Sequence, residues 1–403
     1  LLNTVTLPDS IKRSNKADRV PAEPLDSRCF HGNRNVTICE KGPISVGFGK
    51  SGGGETMSFK LRISVAVIAV SAALPVYAQS VTITTAGGDY GKAMQEAMWA
   101  PAAKELGYDV REETQSDGFA ALKMQVTSGA VTTDIIHLGS PEGAQAAAQS
   151  LLEPLDGNII DLNAVPAGAR SDYCYPFDSY GTVMSWNTKT YGTNPPKTWA
   201  EFWDVGKFPG RRALRSNAQD LIEIALLSDG VAPADVYSVL STPEGLQRAI
   251  KRLEAIKPSV AVWWTSGAQS AQLLKDAEAD LVVTWNGRAQ TVKADGGMVD
   301  YSFKGSVIGT DCLAVPKGAP NKEAAMKLIA AMTQPARVAK LTDFIAYGPV
   351  NPAAYKAGLI PDERLKTLAT APENAGTSVF SNPDWWLKNG EAAQKAFDEM
   401  MSR

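Results

Sequence analysis

Histidine is almost missing from this sequence and cysteine is scarce, with two of the first and four of the second in 403 residues. Two histidines, His31 and His137, cannot build a multi-histidine metal site. Beyond residue 78 the cysteines are single, Cys174 and Cys312, with no CxxC spacing for zinc or dithiol chemistry. A basic excess is lacking too: 40 Lys and Arg stand against 43 Asp and Glu, a formal net charge of −3, so binding to nucleic acid is not expected. The region beyond residue 78 holds no HExxH, no GxGxxG and no GxSxG. His137 is the one base there for a serine nucleophile, and at a strand end it reads as structural. No enzyme, metal or cofactor is therefore expected. No stretch approaches the roughly 20 apolar residues of a membrane-spanning helix. What is present is 44% hydrophobic and 8% aromatic, an ordinary globular balance at a length that calls for about two or three domains.

Residues 57–78 read as a secretory signal: Met57, then Lys60 and Arg62, an apolar run from Ile63 to Leu74, and small residues up to Ala78. Cleavage after Ala78 would leave a chain starting at Gln79 with 30 basic and 37 acidic side chains. Residues 1–56 are polar and patternless and are expected to be a non-native or disordered extension. Their cluster Gly47-Phe48-Gly49-Lys50-Ser51 is not a phosphate loop, since Ile44 occupies the position that needs the first glycine. Export implies an oxidising compartment, where Cys174 and Cys312 are either a disulfide or two buried thiols.

Past Ser80 the pattern alternates short β-rich runs with helical segments. A strand at Val81–Thr84 leads to a glycine turn and a helix from about Lys92 to Leu106. A strand at Tyr108–Glu112, a helix at Phe119–Ser128 and a strand at Thr133–His137 follow. A strand at Tyr180–Trp186 opens a second α/β region, with strands near Arg212–Ser216, Val260–Trp264 and Leu281–Thr284. A strand at Asp311–Val315 and a helix at Lys322–Met332 return to the first. Such alternation predicts mainly parallel sheets flanked by helices, with ligands bound beyond the strand C-termini.

Three runs carry a resemblance: Asp311-Cys312-Leu313-Ala314-Val315-Pro316 with the helix after it, Val283-Thr284-Trp285-Asn286-Gly287, and Thr198-Trp199-Ala200-Glu201-Phe202-Trp203. In order and spacing, from about Val81 to Met401, the chain resembles the spermidine/putrescine-type periplasmic solute-binding proteins, including their 4-aminobutyrate-binding branch. The resemblance implies a two-lobe, type II α/β fold in which each lobe has a central mainly parallel sheet and crossing strands form a hinge. Lobe 1 would comprise 80–186 plus 310–360, and lobe 2 would comprise 187–309 plus 361–403. It also implies a periplasmic, monomeric receptor that closes on a small solute and delivers it to an ABC permease in the inner membrane. A sensor that presents the liganded form to another receptor is an open alternative.

Site residues follow from the same resemblance. Trp285 and Tyr90 match aromatic walls, Asp311 matches a carboxylate that receives an ammonium, and Asp220 falls where a second acid lies, although the acid three positions earlier is Asn217 here. Trp386, from the Trp385-Trp386 pair, matches a segment that contributes one contact. Of Trp263 and Trp264, neighbours on a strand, only one can face a cleft, and Trp264 is the choice. Tyr347 is a loop aromatic near a hinge crossing. Arg288 departs from the polyamine pattern, which has a small residue there. Its guanidinium suits a carboxylate and would repel a diamine by roughly 4 kcal/mol at about 4 Å. Asp311 with Arg288 therefore selects a zwitterion such as 4-aminobutyrate. The alternatives are a polyamine, or a small dicarboxylate disfavoured by Asp311. Arg288 paired to Asp311 or Asp220, or turned to solvent, would also leave a polyamine receptor.

Overall fold

A strand such as Val81-Thr82-Ile83-Thr84 buries both faces only if sheet neighbours and helices cover it, and the chain supplies both in alternation. The computed structural model describes residues 79–403 apart from Ser116 and Ala357. The signal segment and the 1–56 extension lie outside the described residues. In chain order the strands are β1 (Gln79–Thr85), β2 (Tyr108–Thr114), β3 (Ile135–Gly139), β4 (Cys174–Asn187), β5 (Arg212–Arg215), β6 (Val260–Trp264), β7 (Leu281–Trp285), β8 (Val299–Ala314), β9 (Gly348–Pro349) and β10 (Val379–Phe380).

They form a sheet in the order β2-β1-β3-β8-β4-β7-β5-β6, with β10 added to β8 and β9 to β4. The outer trios are parallel, β2-β1-β3 at one end and β7-β5-β6 at the other. Antiparallel β4 and β8 join them. These two strands run 14 and 16 residues, long enough to serve both halves, and every residue of β4 is buried. This is the two-lobe type II architecture, the parallel part of each half being capped by a long crossing strand.

Two large cores flank the crossing. One packs Val81, Ile83, Met94 and Met98 against Leu313, Leu328, Ile329 and Leu341. The other packs Trp199, Phe202, Leu221, Leu226 and Leu253 against Phe397. Inside the second, Arg212 is fully buried yet satisfied: its three guanidinium nitrogens donate to the carbonyls of Phe202, Gly210 and Phe208 at 3.0, 2.8 and 2.6 Å. A buried cation with every guanidinium nitrogen hydrogen-bonded is a structural cation.

Three elements exceed their sequence expectation. The strand expected at Asp311–Val315 is the end of β8, which begins at Val299. Its first half is partly exposed and carries Asp300, Ser302 and Lys304, so no apolar pattern announces it. The strand expected at Tyr180–Trp186 starts at Cys174, and Pro176 adjoins a bulge between Pro176 and Asp178. The expected helix Lys92–Leu106 starts at Gly88 and contains a π-helical turn at Gln95–Trp99. Pro101 follows that turn; lacking an N–H, it cannot extend the regular hydrogen-bond ladder. Cys174 and Cys312 meet across β4 and β8 as a disulfide, with Cα atoms 5.4 Å apart. No described helix is long and apolar enough to cross a membrane.

Candidate functional site

The C-terminal ends of β1, β2, β3, β5, β6 and β7 converge, and the residues there surround a cavity of about 290 Å³. This is where α/β sheets place ligands, because each chain leaves the sheet there as an irregular turn with free polar groups. Gly87, after β1, shows why such a turn needs glycine. Its φ is +64°, and a Cβ would stand 2.3 Å from Thr114 Cγ2.

One end of the cavity is acidic. Asp311 lines it and Asp178 lies beside Asp311, at the bulge where β4 faces β8. The Tyr90 hydroxyl donates to Asp178 Oδ2 at 2.7 Å and lies 3.2 Å from Asp311 Oδ2. His137 Nε2 is 3.3 Å from both Asp311 Oδ2 and the Tyr90 hydroxyl. Burial, then Asp178, pushes the Tyr90 pKa well above its ordinary value, so the hydroxyl keeps its proton as a donor.

Trp285 and Tyr180 form the aromatic wall, 5.8 Å apart and edge to face. Arg215 also lines the cavity, its guanidinium 5.2 Å from the Trp285 ring. Arg215 Nη2 is 3.8 Å from Glu142 Oε1. Burial raises the pKa of Glu142, and Arg215 opposes that shift. Neutral polar side chains fill much of the remaining lining, among them Thr84, Gln115, Ser216, Asn217, Gln219 and Thr265.

Of the residues singled out from sequence, Asp311 and Trp285 line this cavity. Tyr90 lies one layer behind, with its hydroxyl reaching the acids. Tyr347 is buried against Tyr90 and Tyr180, at ring distances of 5.2 and 5.8 Å. Burial raises the Tyr347 pKa, and Arg288 opposes it. Asp220 is buried, accepts from the Thr182 hydroxyl at 2.7 Å, and has φ +67°, a left-handed conformation unusual for a residue with a side chain. Burial raises its pKa against the pull of Arg215.

Trp264 sits behind Trp285 at 5.3 Å and donates its Nε1 to the Val283 carbonyl, so it supports the wall from the core. Trp386 is buried outside the cavity lining, its Nε1 donating to Glu223 Oε1 at 3.0 Å; it borders an adjoining groove of about 870 Å³. Arg288 is 1% exposed, outside the cavity lining, with its guanidinium 5.7 Å from the Tyr90 ring. Its Nη2 donates to the Gly87 carbonyl at 3.3 Å, while Nε and Nη1 have no hydrogen-bond partner among the described residues.

Sequence reasoning passed over Arg215, Glu142, Asp178 and Tyr180. Arg215 had a usable signal, since it ends a strand whose neighbours were already expected to face ligand. Asp178 had none: its place beside Asp311 depends on the bulge in β4.

Residues 97–373 match the family model described as bacterial extracellular solute-binding protein. The chain is 32% identical to the gamma-aminobutyric acid-binding protein of Pseudomonas aeruginosa, over 85% of this chain and 96% of that one. It is 27% identical to the spermidine/putrescine-binding periplasmic protein of Escherichia coli, over 59% of this chain and 65% of that one. Among solved structures, the binding protein MotA of A. tumefaciens B6 in complex with glucopine is 40% identical. It superposes with a TM-score of 0.78 over 80% of this chain and 99% of its own. The GABA receptor Atu4243 is 31% identical, with a TM-score of 0.69 over 80% and 97%. The chain therefore belongs to the bacterial extracellular solute-binding proteins, the substrate-binding components of ABC transporters, which capture solutes rather than transform them.

Proposed function

We propose that the protein captures a small zwitterion in this cavity, its ammonium on Asp311 and its carboxylate on Arg215, with Trp285 and Tyr180 against the chain between them. The observation that carries the reading is that one cavity is lined by an acid, Asp311, and a cation, Arg215, together with the rings of Trp285 and Tyr180. A diamine would set its second cation against Arg215, and a dicarboxylate would set its second anion against Asp311. An ω-amino acid such as 4-aminobutyrate meets both ends, in keeping with the printed names of the Pseudomonas relative and the Atu4243 structure.

Two observations favour variants of this reading. The buried Arg288 has two unused guanidinium nitrogens, unlike Arg212. A ligand that reached these nitrogens, deeper than the cavity lining, would place its carboxylate there instead. The neutral polar lining also suits a larger ligand that keeps an amine and a carboxylate, and the 40% identical structure holds glucopine.

The two-lobe architecture supports a hinge-closing cycle. Lobe 1 (80–186 plus 310–360) and lobe 2 (187–309 plus 361–403) close about β4 and β8, driven by ligand contacts that exist only when the cleft is shut. The protein acts as a periplasmic monomer released by cleavage after Ala78, and hands its solute to an inner-membrane permease.

Calorimetry on refolded, ligand-free protein with 4-aminobutyrate, putrescine and glucopine tests the reading. Heat with 4-aminobutyrate or glucopine and none with putrescine supports it. Saturable binding of putrescine in preference to both sinks the zwitterion and restores the polyamine alternative.

A further inference from the structure

The acidic end of the cavity holds more carboxylate than one ammonium needs. Asp178 is fully buried and Asp311 is 7% exposed; they stand opposite each other in the β4–β8 ladder, and one Tyr90 hydroxyl lies 2.7 Å from Asp178 Oδ2 and 3.2 Å from Asp311 Oδ2. Two ionised carboxylates in contact, away from water, repel strongly unless a cation or a proton separates them. The groups facing the pair are Tyr90 from the helix Gly88–Met94, His137 from β3, and Tyr347 from the segment before β9. Arg288, from the helix Asn286–Ala294, stands across the Tyr90 ring. Arg288 spends its one hydrogen bond on the Gly87 carbonyl, not on either acid.

The hydrogen-bond inventory then comes up one proton short. Tyr90 has a single hydroxyl proton, which goes to Asp178 Oδ2 at 2.7 Å. His137 Nε2 approaches Asp311 Oδ2. Among the described residues Asp178 Oδ1 is left buried without a hydrogen-bonded donor, with Asp311 opposite it in the β4–β8 ladder. A proton on Asp178 Oδ1 donated to Asp311 removes both the orphaned oxygen and the repulsion.

We propose that Asp178 is a positioning residue that holds a proton at neutral pH and donates it to Asp311, so that the acidic end presents one negative charge to one ammonium. The direction of the Asp178 pKa agrees: burial first, and Asp311 second, raise it well above the ordinary carboxylate range. Charge matching follows. A single charge balances the single ammonium of a zwitterion, whereas an ionised pair would favour a dication. This specificity rests on the zwitterion reading above, but the proton itself does not.

Infrared difference spectroscopy between the wild-type protein and Asp178→Asn at pH 7, without ligand, reads the proton directly. A carboxylic-acid carbonyl stretch should appear in the wild-type-minus-variant difference, in which the band of protonated Glu223, common to both proteins, cancels. A difference spectrum without that band overturns the proposal, whether or not any solute binds. With 4-aminobutyrate as titrant, Asp178→Asn, which mimics the protonated acid, should bind within about threefold of wild type. Asp311→Asn should weaken binding by about 30-fold or more. An Asp178→Asn loss as large as that of Asp311→Asn also overturns it. If the infrared band is present while 4-aminobutyrate fails to bind the wild type, the ligand assignment fails and the proton on Asp178 stands.

Discussion

Replacing Arg215 by Gln separates the two arginines that compete for the ligand carboxylate. Arg215 lines the cavity, its side chain is 17% exposed, and it stacks on Trp285 at 5.2 Å. Losing a charge-assisted pair at a mostly buried site costs about 2–4 kcal/mol, which weakens 4-aminobutyrate binding by roughly 30- to 1000-fold. Part of that loss comes from Glu142. With Arg215 gone, the carboxylate 3.8 Å from its guanidinium faces the ligand unopposed. The double variant Arg215→Gln/Glu142→Gln should therefore recover about tenfold of the affinity. Glu142→Gln alone should bind as tightly as wild type or better. Arg288→Gln removes a hydrogen bond to Gly87 and a contact with the Tyr90 ring. It should lower the denaturation midpoint and weaken binding by less than about tenfold. Calorimetric titration of the four variants measures the affinities, and urea titration of Arg288→Gln measures the midpoint. Wild-type affinity in Arg215→Gln, together with a large loss in Arg288→Gln, would refute the assignment and move the carboxylate to the deeper site.

Two further outcomes test the frame around the site. The Cys174–Cys312 bond closes a loop of 138 residues, so reducing it should cost on the order of 5 kcal/mol in the chain-entropy account; an unchanged urea midpoint with reductant would contradict this. Glu223 is buried under Tyr237 and Trp386, which donate to it at 2.8 and 3.0 Å, and burial raises its pKa to about 8. The folded state then binds more protons than the unfolded state between the ordinary glutamate value and about 8, so stability falls as pH rises through that window. The slope contributed by this one group is at most about 1.4 kcal/mol per pH unit. Glu223→Gln should flatten that fall in urea titrations from pH 5 to 8, and parallel curves for the two proteins would rule it out.

The architecture was legible because it is written locally. Alternating strand and helix patterns, glycine turns at strand ends and the order of the aromatic motifs all survive without tertiary knowledge. Cys174 and Cys312 could be named as a candidate pair by elimination, but only adjacent places on β4 and β8 join them. Trp285 and Asp311 stand at strand positions whose direction follows from the fold, and they do line the cavity. What the sequence left open was direction and register. Successive helical residues turn by about 100°, so Arg288, three positions past Trp285, packs behind Tyr90. Arg215, at the end of a strand 70 positions from Trp285, comes to lie over that ring. Trp264 was chosen by strand alternation and Trp386 by motif, yet a carbonyl on β7 and the buried Glu223 claim their indole nitrogens. Asp178 meets Asp311 through a bulge in β4, a one-residue change of register that no local pattern marks. Local chemistry settled which residue types stand at the strand ends. Which of them face one another was decided by long-range pairing, because an antiparallel ladder brings together residues more than a hundred positions apart.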